Sequence, residues 1–379
     1  MQKKIMLLNM ILIVIVCISK MDVFAQPLKI DKDLKITASI YEGIKVTRDC
    51  KITFNNSDDI VIGDLYNNTC PGIEISNGKK LTICLENLGN VNIYGGCYQN
   101  FGNSYSCAGI YVPSNAKLVI EGKGIGKLNA RGYIGAAGIG GNGIAMLRNN
   151  TDYSLINAGS IYIKSGNITA TSFYGDWIGF NDGLGAGIGG GGVFNAIDRQ
   201  NLKGGSVELI EIYDGNICAI GGNSLNSNGL GAGIGGGGLC NVANSVEYIK
   251  GGDVKKMRIL GGKIMARAGS NNNTSGKGAG IGGGGIYNVG GCKNIEEGKI
   301  LNLERNIKAS LNIEGGYRES VDIGSGSIHS NNVCVKGNTP IVSTESMSIT
   351  INETLAKSCK KIFSSVIMTA IGILIMLGK

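Results

Sequence analysis

An aromatic cluster is the part of the sequence whose composition best suits binding chemistry. It lies in the segment TSFYGDWIGFND, residues 171–182, which contains the only tryptophan of the chain. Exposed rings beside carboxylates and amides can stack on sugar faces while the polar groups bind hydroxyls. The same rings could instead fold over the protein and fill a local core. The candidate ligand-binding residues are Phe173, Tyr174, Asp176, Trp177, Phe180 and Asp182.

Catalytic chemistry has weaker support in the sequence. Asp58, Asp59 and Asp64 could form a paired-acid or calcium cluster, but adjacent residues of a strand face opposite ways, and Asp pairs among Asn and Ser are typical of turns. The single histidine, His329, belongs to no recognisable triad or metal motif. The glycine runs contain G-x-G patterns without a following helix, so they do not predict a nucleotide site. We predict no catalytic residue, no metal ligand and no cofactor.

The charge pattern narrows the range of partners. The formal net charge is +8, but the lysines and arginines are dispersed, with no basic block and no interleaved aromatic residues. A nucleic-acid partner is therefore not predicted. A modest attraction to acidic polysaccharides or to cell surfaces is compatible with this charge.

A sequence repeat indicates which secondary-structure elements must position the candidate binding residues. The octapeptide GAGIGGGG occurs at residues 185–192, 231–238 and 278–285, so its copies start 46 and 47 residues apart. A degraded copy, AAGIGGNG, occupies residues 136–143. A fixed period of this size predicts a stacked repeat architecture.

Short strand-like segments precede the glycine runs, and they predict an all-β fold. DGNICAIGG (residues 214–222) and GGKIMARAG (residues 261–269) alternate aliphatic and exposed positions. Helical periodicity is nearly absent, so we predict a glycine-rich parallel β-helix, a single-stranded solenoid. We expect each 46-residue repeat to form two coils of about 23 residues. Ile188, Ile234 and Ile281 should then stack in an inward ladder.

The chain ends predict export and anchoring. Residues 1–25 resemble a secretory signal, with an uncleaved anchor as the alternative. Residues 26–56 are expected to cap the solenoid, 57–343 to form the β-helix and 344–361 to form a polar stalk. Residues 362–379 are apolar but short for a spanning helix, so they suit either a membrane anchor or a lipid-anchor signal. We therefore expect a secreted or cell-surface protein that is attached to the membrane.

Ten cysteines follow the predicted signal peptide, which suits an oxidising compartment. Cys84 and Cys107 are 23 residues apart, and Cys218 and Cys240 are 22 apart, about one predicted coil in each case. Stacking would bring each pair within disulfide reach, although the cysteines could equally be buried apolar fillers. Possible N-glycosylation sites are Asn55, Asn67, Asn149, Asn167, Asn272, Asn273 and Asn352.

The unit GG-x-[IV]-x-A-x-GG followed by GAGIGGG resembles a repeat family of surface proteins from gut bacteria and some protists, akin to carbohydrate-binding β-helix proteins. The match covers about two-thirds of the chain, and the sequence departs from the pattern before Gly124 and after Asn288. The resemblance implies a right-handed parallel β-helix, surface display, and adhesion or glycan binding. It implies no shared catalytic residue.

We therefore expect an extracellular β-helix protein that binds glycans or a host or wall surface, with the membrane contacted through its C-terminal segment. A structural wall or coat component is the first alternative. A polysaccharide lyase or hydrolase is the second, and an enzyme is the less favoured class.

Overall fold

The computed structural model shows an all-β chain. It describes residues 26–64, 70–100, 103–147, 154–172, 185–223, 229–269, 276–306, 309–315, 322–330 and 333–335. The chain divides into two compact units, Met1–Val342 and Ser343–Lys379, and every described residue lies in the first. The predicted signal peptide, stalk and C-terminal segment lie outside the described residues. No helix in the described ranges combines the length and apolar character that crossing a bilayer requires.

Three parallel sheets contain most of the strands. Sheet A comprises Leu28–Ile30, Ile44–Val46, Ile73–Ile75, Ile110–Tyr111, Ile139–Gly140, Ile188–Gly189, Ile234–Gly235, Ile281–Gly282 and Ile323–Gly324. Sheet B comprises Leu34–Ile36, Cys50–Phe54, Lys80–Leu85, Lys117–Gly122, Ala158–Ile163, Val207–Ile212, Val254–Ile259 and Leu303–Arg305. Sheet C comprises Ile60–Ile62, Val91–Tyr94, Lys127–Arg131, Asn167–Thr171, Asn216–Ile220, Lys263–Arg267 and Ser310–Glu314.

Two further sheets belong to the later part of the chain. Sheet D is parallel in its middle and antiparallel at both ends. Its strands are Cys97–Asn100, Asn103–Ser106, Gly143–Leu147, Val193–Asn195, Leu239–Asn241, Ile286–Asn288, Ile328–Ser330 and Val333–Val335. Sheet E is parallel and comprises Arg199–Lys203, Val246–Lys250 and Cys292–Glu296. A short 3-10 helix, Ser154–Ile156, precedes the sheet B strand that starts at Ala158.

The order of the strands confirms the predicted parallel β-helix. The chain visits sheet A, then B and C, and returns to A one strand further along. In the later circuits strands of sheets D and E follow sheet A, whereas the sheet D strands Cys97–Asn100 and Asn103–Ser106 follow the sheet C strand Val91–Tyr94. We call each circuit a coil. In the described chain, coils start at Leu28, Ile44, Ile73, Ile110, Ile139, Ile188, Ile234 and Ile281, and the first strand of a further coil starts at Ile323.

One repeat forms one coil, and the prediction of two coils per repeat is wrong. Ile188 pairs directly with Ile234, and Ile234 pairs with Ile281, although the repeats start 46 and 47 residues apart. All three isoleucines are fully buried, so the predicted inward ladder is confirmed. The coil is twice the expected length because each repeat also supplies strands to sheets D and E.

The predicted capping segment, residues 26–56, supplies the first strands of two long sheets. Leu28–Ile30 pairs with Ile44–Val46 in sheet A. Leu34–Ile36 pairs with Cys50–Phe54 in sheet B. These first circuits are short because they contain no strand of sheet D or E.

Coils 6 to 8 enclose two apolar cores. The larger core collects inward residues of sheets A, B and C, such as Ile188, Ile210 and Ile217 in coil 6. The smaller core lies between sheets D and E and includes Val193 and Leu202. Each strand contributes aliphatic side chains at alternate positions, which gives it one buried face.

Glycine backbones separate the two cores. In coil 6, a Cβ on Gly190 would overlap the carbonyl oxygen of Gly205, just before the sheet B strand. Gly236 and Gly252 make the same contact in coil 7. The Gly205 amide also donates to the Gly191 carbonyl at 3.1 Å, so the two chain segments are hydrogen-bonded as well as in contact. We call this row of glycine contacts the waist.

A second glycine column connects successive coils. Gly189 and Gly235 end their sheet A strands at φ +136° and +141°. L-residues rarely adopt this conformation. A Cβ on Gly235 would also overlap the carbonyl oxygen of Gly282 in the next coil. The octapeptide therefore requires glycine both within a coil and between coils.

A ladder of buried amides runs along sheet D. Asn195 Nδ2 donates to Asn241 Oδ1 at 2.8 Å, and Asn241 Nδ2 donates to Asn288 Oδ1 at 2.7 Å. Asn288 Nδ2 then donates to Ser330 Oγ at 3.0 Å. All three asparagines are fully buried, and each Nδ2 also donates to a backbone carbonyl of its own coil, as Asn195 Nδ2 does to the Ile197 carbonyl at 2.7 Å.

The glycine column predicts that an alanine substitution within it destabilises the protein more than one at a glycine with open space around it. Gly235→Ala should lower the free energy of unfolding by about 3 kcal/mol or more, because backbone strain adds to overlap with Gly282. Gly78→Ala is the control, because Gly78 has φ +70° but no atom within 4 Å of an added Cβ. The control should lose only about 1 kcal/mol. Urea unfolding of the full chain, followed by circular dichroism, measures both, and equal losses would contradict the overlap.

The amide ladder predicts a difference between two stacked asparagines. Asn241→Ala should cost about 3 kcal/mol, because it leaves one N–H of the Asn195 amide and the Asn288 acceptor buried without partners. Asn216→Ala should cost less than about 1 kcal/mol, because Asn216 is exposed to water. Comparable unfolding midpoints for the two variants would show that the ladder does not stabilise the coils.

Candidate functional site

The aromatic candidates lie outside the described residues. Phe173, Tyr174, Asp176, Trp177, Phe180 and Asp182 all belong to residues 173–184. The described chain on either side is the sheet C strand Asn167–Thr171 and the sheet A strand Ile188–Gly189.

An open groove lies at the corner where the chain passes from sheet B to sheet C. Its volume is about 480 Å³, and its lining extends over coils 4 to 8. We call it the corner groove. A second depression of about 400 Å³ continues from it onto the outer face of sheet C. The polar residues that line the corner groove are Ser165, Asn167, Asp214, Asn216, Lys263 and Ser310.

A change in corner length creates the groove. In coil 4 the chain takes seven residues from Ile120 to Lys127. In coil 5 the equivalent positions, Ile163 and Asn167, are only four residues apart. The long corners of coils 3 and 4 therefore project beyond the short corners that follow, and they form a wall at one end of the groove.

Glycine makes the short corners possible. Gly166, Gly215 and Gly262 occupy the corners of coils 5, 6 and 7, with φ values of +120°, +119° and +91°. A Cβ on Gly122 would overlap the Gly166 backbone, so coils 4 and 5 also approach closely here. Tight turns of this kind need residues that tolerate positive φ. The motifs SGN, DGN and GGK in the sequence thus determine the depth of the groove.

The long corners of coils 3 and 4, next to the lining residues Gly122 and Gly124, carry two exposed apolar side chains. Leu88 and Ile125 occupy equivalent positions in coils 3 and 4, three residues beyond the paired Leu85 and Gly122. Their exposed fractions are 63% and 77%. The Ile125 carbonyl also accepts a hydrogen bond from Asn167 Nδ2 at 3.0 Å, which connects the wall to the floor.

The floor is a column of aligned side chains on the outer face of sheet C. Pairing places Lys127, Asn167, Asn216, Lys263 and Ser310 at one register position in five successive coils. Asn216 Nδ2 donates to Asn167 Oδ1 at 2.8 Å. Within the described chain no group donates to Asn216 Oδ1, so this oxygen can accept a hydrogen bond from a ligand.

The sheet B side of the groove carries a cation and an aromatic ring. The Lys164 ammonium lies 3.1 Å from the centre of the Tyr213 ring and covers one of its faces. Asp214, the next residue, accepts a hydrogen bond from the Gly215 amide at 2.8 Å.

A second carboxylate near this corner also has a partner. In coil 4, Glu121 accepts a hydrogen bond from Cys84 at 3.1 Å. Burial and this bond raise the pKa of the Cys84 thiol to about 11.

The structure does not bring the predicted cysteine pairs together. Cys84 is paired across sheet B with Thr53 and Glu121, not with Cys107. Cys218 has Thr169 and Met265 as its sheet neighbours, while Cys240 lies beside residues of sheet D. No disulfide joins cysteines of the described ranges. The expected pairing fails because one coil is about twice the length on which it was based.

Two of the weaker catalytic candidates, Asp59 and His329, make contacts that hold neighbouring coils together. Asp59 accepts hydrogen bonds from the Asn90 amide at 2.7 Å and from Asn90 Nδ2 at 3.0 Å, and these bonds lower its pKa. It therefore connects the corners of coils 2 and 3. His329 stacks on Tyr287 with 5.2 Å between ring centres. No group of three or more potential metal ligands occurs in the part of the chain that the structure describes.

The corner groove was missed at the sequence level. The sequence feature that marks the groove is the shortening of the corner between sheets B and C from seven residues to four, which is visible only once the register of both sheets is known.

Searches for matching protein families, curated proteins and solved structures find no match to this chain.

The strand register of the cysteines predicts that two of the possible disulfides do not form. Non-reducing peptide mapping of the full chain should find neither a Cys84–Cys107 nor a Cys218–Cys240 peptide, because the members of each pair lie in different columns. Alkylation of the native protein should modify Cys97, which is exposed, faster than the buried Cys107. Recovery of either linked peptide would contradict the register.

Proposed function

We propose that this chain is a cell-surface β-helix protein that binds glycans in the corner groove. The observation that carries the proposal is the column of Asn167, Asn216 and Lys263 on the groove floor, aligned coil by coil beside an exposed apolar wall. Sugar recognition combines these two features, because ring faces pack on apolar groups while hydroxyls bind polar side chains.

The spacing of the floor suits a chain-like ligand. Adjacent strands in a sheet lie about 4.8 Å apart, so similar side chains recur at that interval along the groove. A linear glycan that lies across the coils would meet amide, amide and ammonium groups in sequence. A single small sugar would use only part of this surface.

Binding suits the groove better than cleavage does. Glycoside hydrolysis by the common mechanisms uses two carboxylates on opposite sides of the scissile bond. Among the residues that line the corner groove, the carboxylate is that of Asp214, which is hydrogen-bonded within its own turn. A lyase or hydrolase is therefore the less favoured alternative to adhesion.

The part of the proposal that concerns surface display is supported by the sequence alone. The secretory pattern of residues 1–25 and the apolar C-terminal segment support an exported, membrane-attached protein. A purely structural wall component would have the same ends and the same rigid coils. It differs from an adhesin in one testable property, because it needs no soluble ligand.

A glycan array probed with the full chain in mild detergent tests the proposal. The protein should be produced without N-linked glycans, because a glycan on Asn167 would fill the groove. Asn167→Ala with Asn216→Ala should weaken binding at least about tenfold, since two amides of about 1 kcal/mol each would be lost. Asn294→Ala, an exposed asparagine on sheet E, is the matched control and should bind like the wild type.

Two results would contradict the proposal. A folded wild-type protein that binds no glycan would favour the structural alternative. Binding that survives the double groove variant but is lost in Trp177→Ala would instead place the site in residues 171–182.

A further inference from the structure

We infer that the ligand of the corner groove is an anionic linear polysaccharide that lies along the coils, with its acidic groups bound by Lys127 and Lys263. This inference rests on the proposed function and specifies its ligand class. It is carried by the positions of the two lysines and by the absence, in the described chain, of a carboxylate within ion-pair distance of either.

The two lysines lie three coils apart in one column. Lys127 belongs to coil 4 and Lys263 to coil 7, and the amides of Asn167 and Asn216 occupy the two coils between them. Three steps of about 4.8 Å place the lysine backbones about 14 Å apart. Both side chains are exposed. A polymer that carries acidic groups at intervals could engage both cations while its hydroxyls bind the amides.

Several cations of coil 7 are paired with a carboxylate of the described chain, whereas Lys263 is not, and Lys127 in coil 4 is likewise unpaired there. In coil 7, neighbouring cations pair with acids of the described chain, as in Lys250 with Asp253, Lys255 with Glu208, and Arg267 with Glu314. No acidic group of the described chain lies within ion-pair distance of Lys127 or Lys263. Their charge is therefore available to a ligand, which also need not displace an internal partner.

The acidic groups near the groove, Asp214 and Glu121, are fewer than its cations. Asp214 is engaged by the Gly215 amide, and Glu121 by the Cys84 thiol. Lys164 adds a third cation at the sheet B rim. The groove thus presents more positive than negative side chains, which favours binding of an anionic chain and makes it sensitive to salt.

The same surroundings disfavour a nucleic acid. Proteins that bind single strands provide open aromatic faces on which the bases stack. The ring at the rim, that of Tyr213, has one face covered by the Lys164 ammonium. The floor offers amides and a hydroxyl, which suit the hydroxyls of a sugar.

Titration calorimetry with uronic-acid oligomers tests the inference on the full chain in detergent. The ligands are a galacturonic acid dimer, an octamer long enough to span about 14 Å, and a carboxyl-reduced neutral octamer. We expect the acidic octamer to bind at least about tenfold more tightly than either of the others, and to weaken as salt rises to about 0.15 M and above.

Charge variants locate the interaction. Lys127→Gln with Lys263→Gln should lower affinity for the acidic octamer at least about tenfold and flatten its salt dependence. Lys35→Gln with Lys256→Gln removes the same charge from exposed positions on sheet B and should change little. Equal unfolding midpoints for both double variants show that neither effect arises from misfolding.

The outcomes separate the two proposals. If no acidic or neutral glycan binds the folded wild type, the proposed function fails and the inference fails with it. If the neutral octamer binds as well as the acidic one, or Lys127→Gln with Lys263→Gln binds normally, only the inference fails. Equal competition by single-stranded DNA would also overturn it, because the groove would then be a general polyanion site.

Discussion

The close contact between glycine backbones at the waist is the constraint on which this fold depends. Gly190 against Gly205, and Gly236 against Gly252, leave no room for a side chain between the two apolar cores. A bulkier residue at these positions would force the cores apart and break the hydrogen bonds that cross the waist. The contact recurs in successive coils, so the glycine run must recur at the same interval, and the sequence repeat is a direct consequence of the geometry.

Because the waist and the sheet A column hold the coils in register, variation is confined to the corners and the outer faces. Sheets B and C keep their pairing from coil 4 to coil 5, although the connection between them shortens from seven residues to four. The difference cannot be absorbed by a shift in register, because a slip of one residue would turn the inward isoleucines to solvent. It becomes a step in the surface instead, and the corner groove is that step.

The sequence predicted the class of fold well because identical octapeptides imply identical surroundings. Ile188, Ile234 and Ile281 could be placed in one ladder without knowing the length of a coil. The coil length was predicted incorrectly because the strands of sheets D and E contain few regular alternations, and nothing in the octapeptide shows that it packs against Gly205 or Gly252. The cysteine pairs failed for the same reason, since their spacing was compared with a coil of the wrong size.

The corner groove could not be predicted from the sequence, and the reason is physical. A binding groove on a solenoid is a difference between neighbouring coils, whereas a repeat is recognised by what the coils share. Gly166, Gly215 and Gly262 resemble other turn glycines in the sequence, yet their positive φ values produce the short corners. Lys127 and Lys263 fall in segments that are 136 residues apart along the chain, and only the strand register aligns them. The strict interior therefore shapes the exterior, because a fixed register converts small local changes at the corners into a groove that runs across several coils.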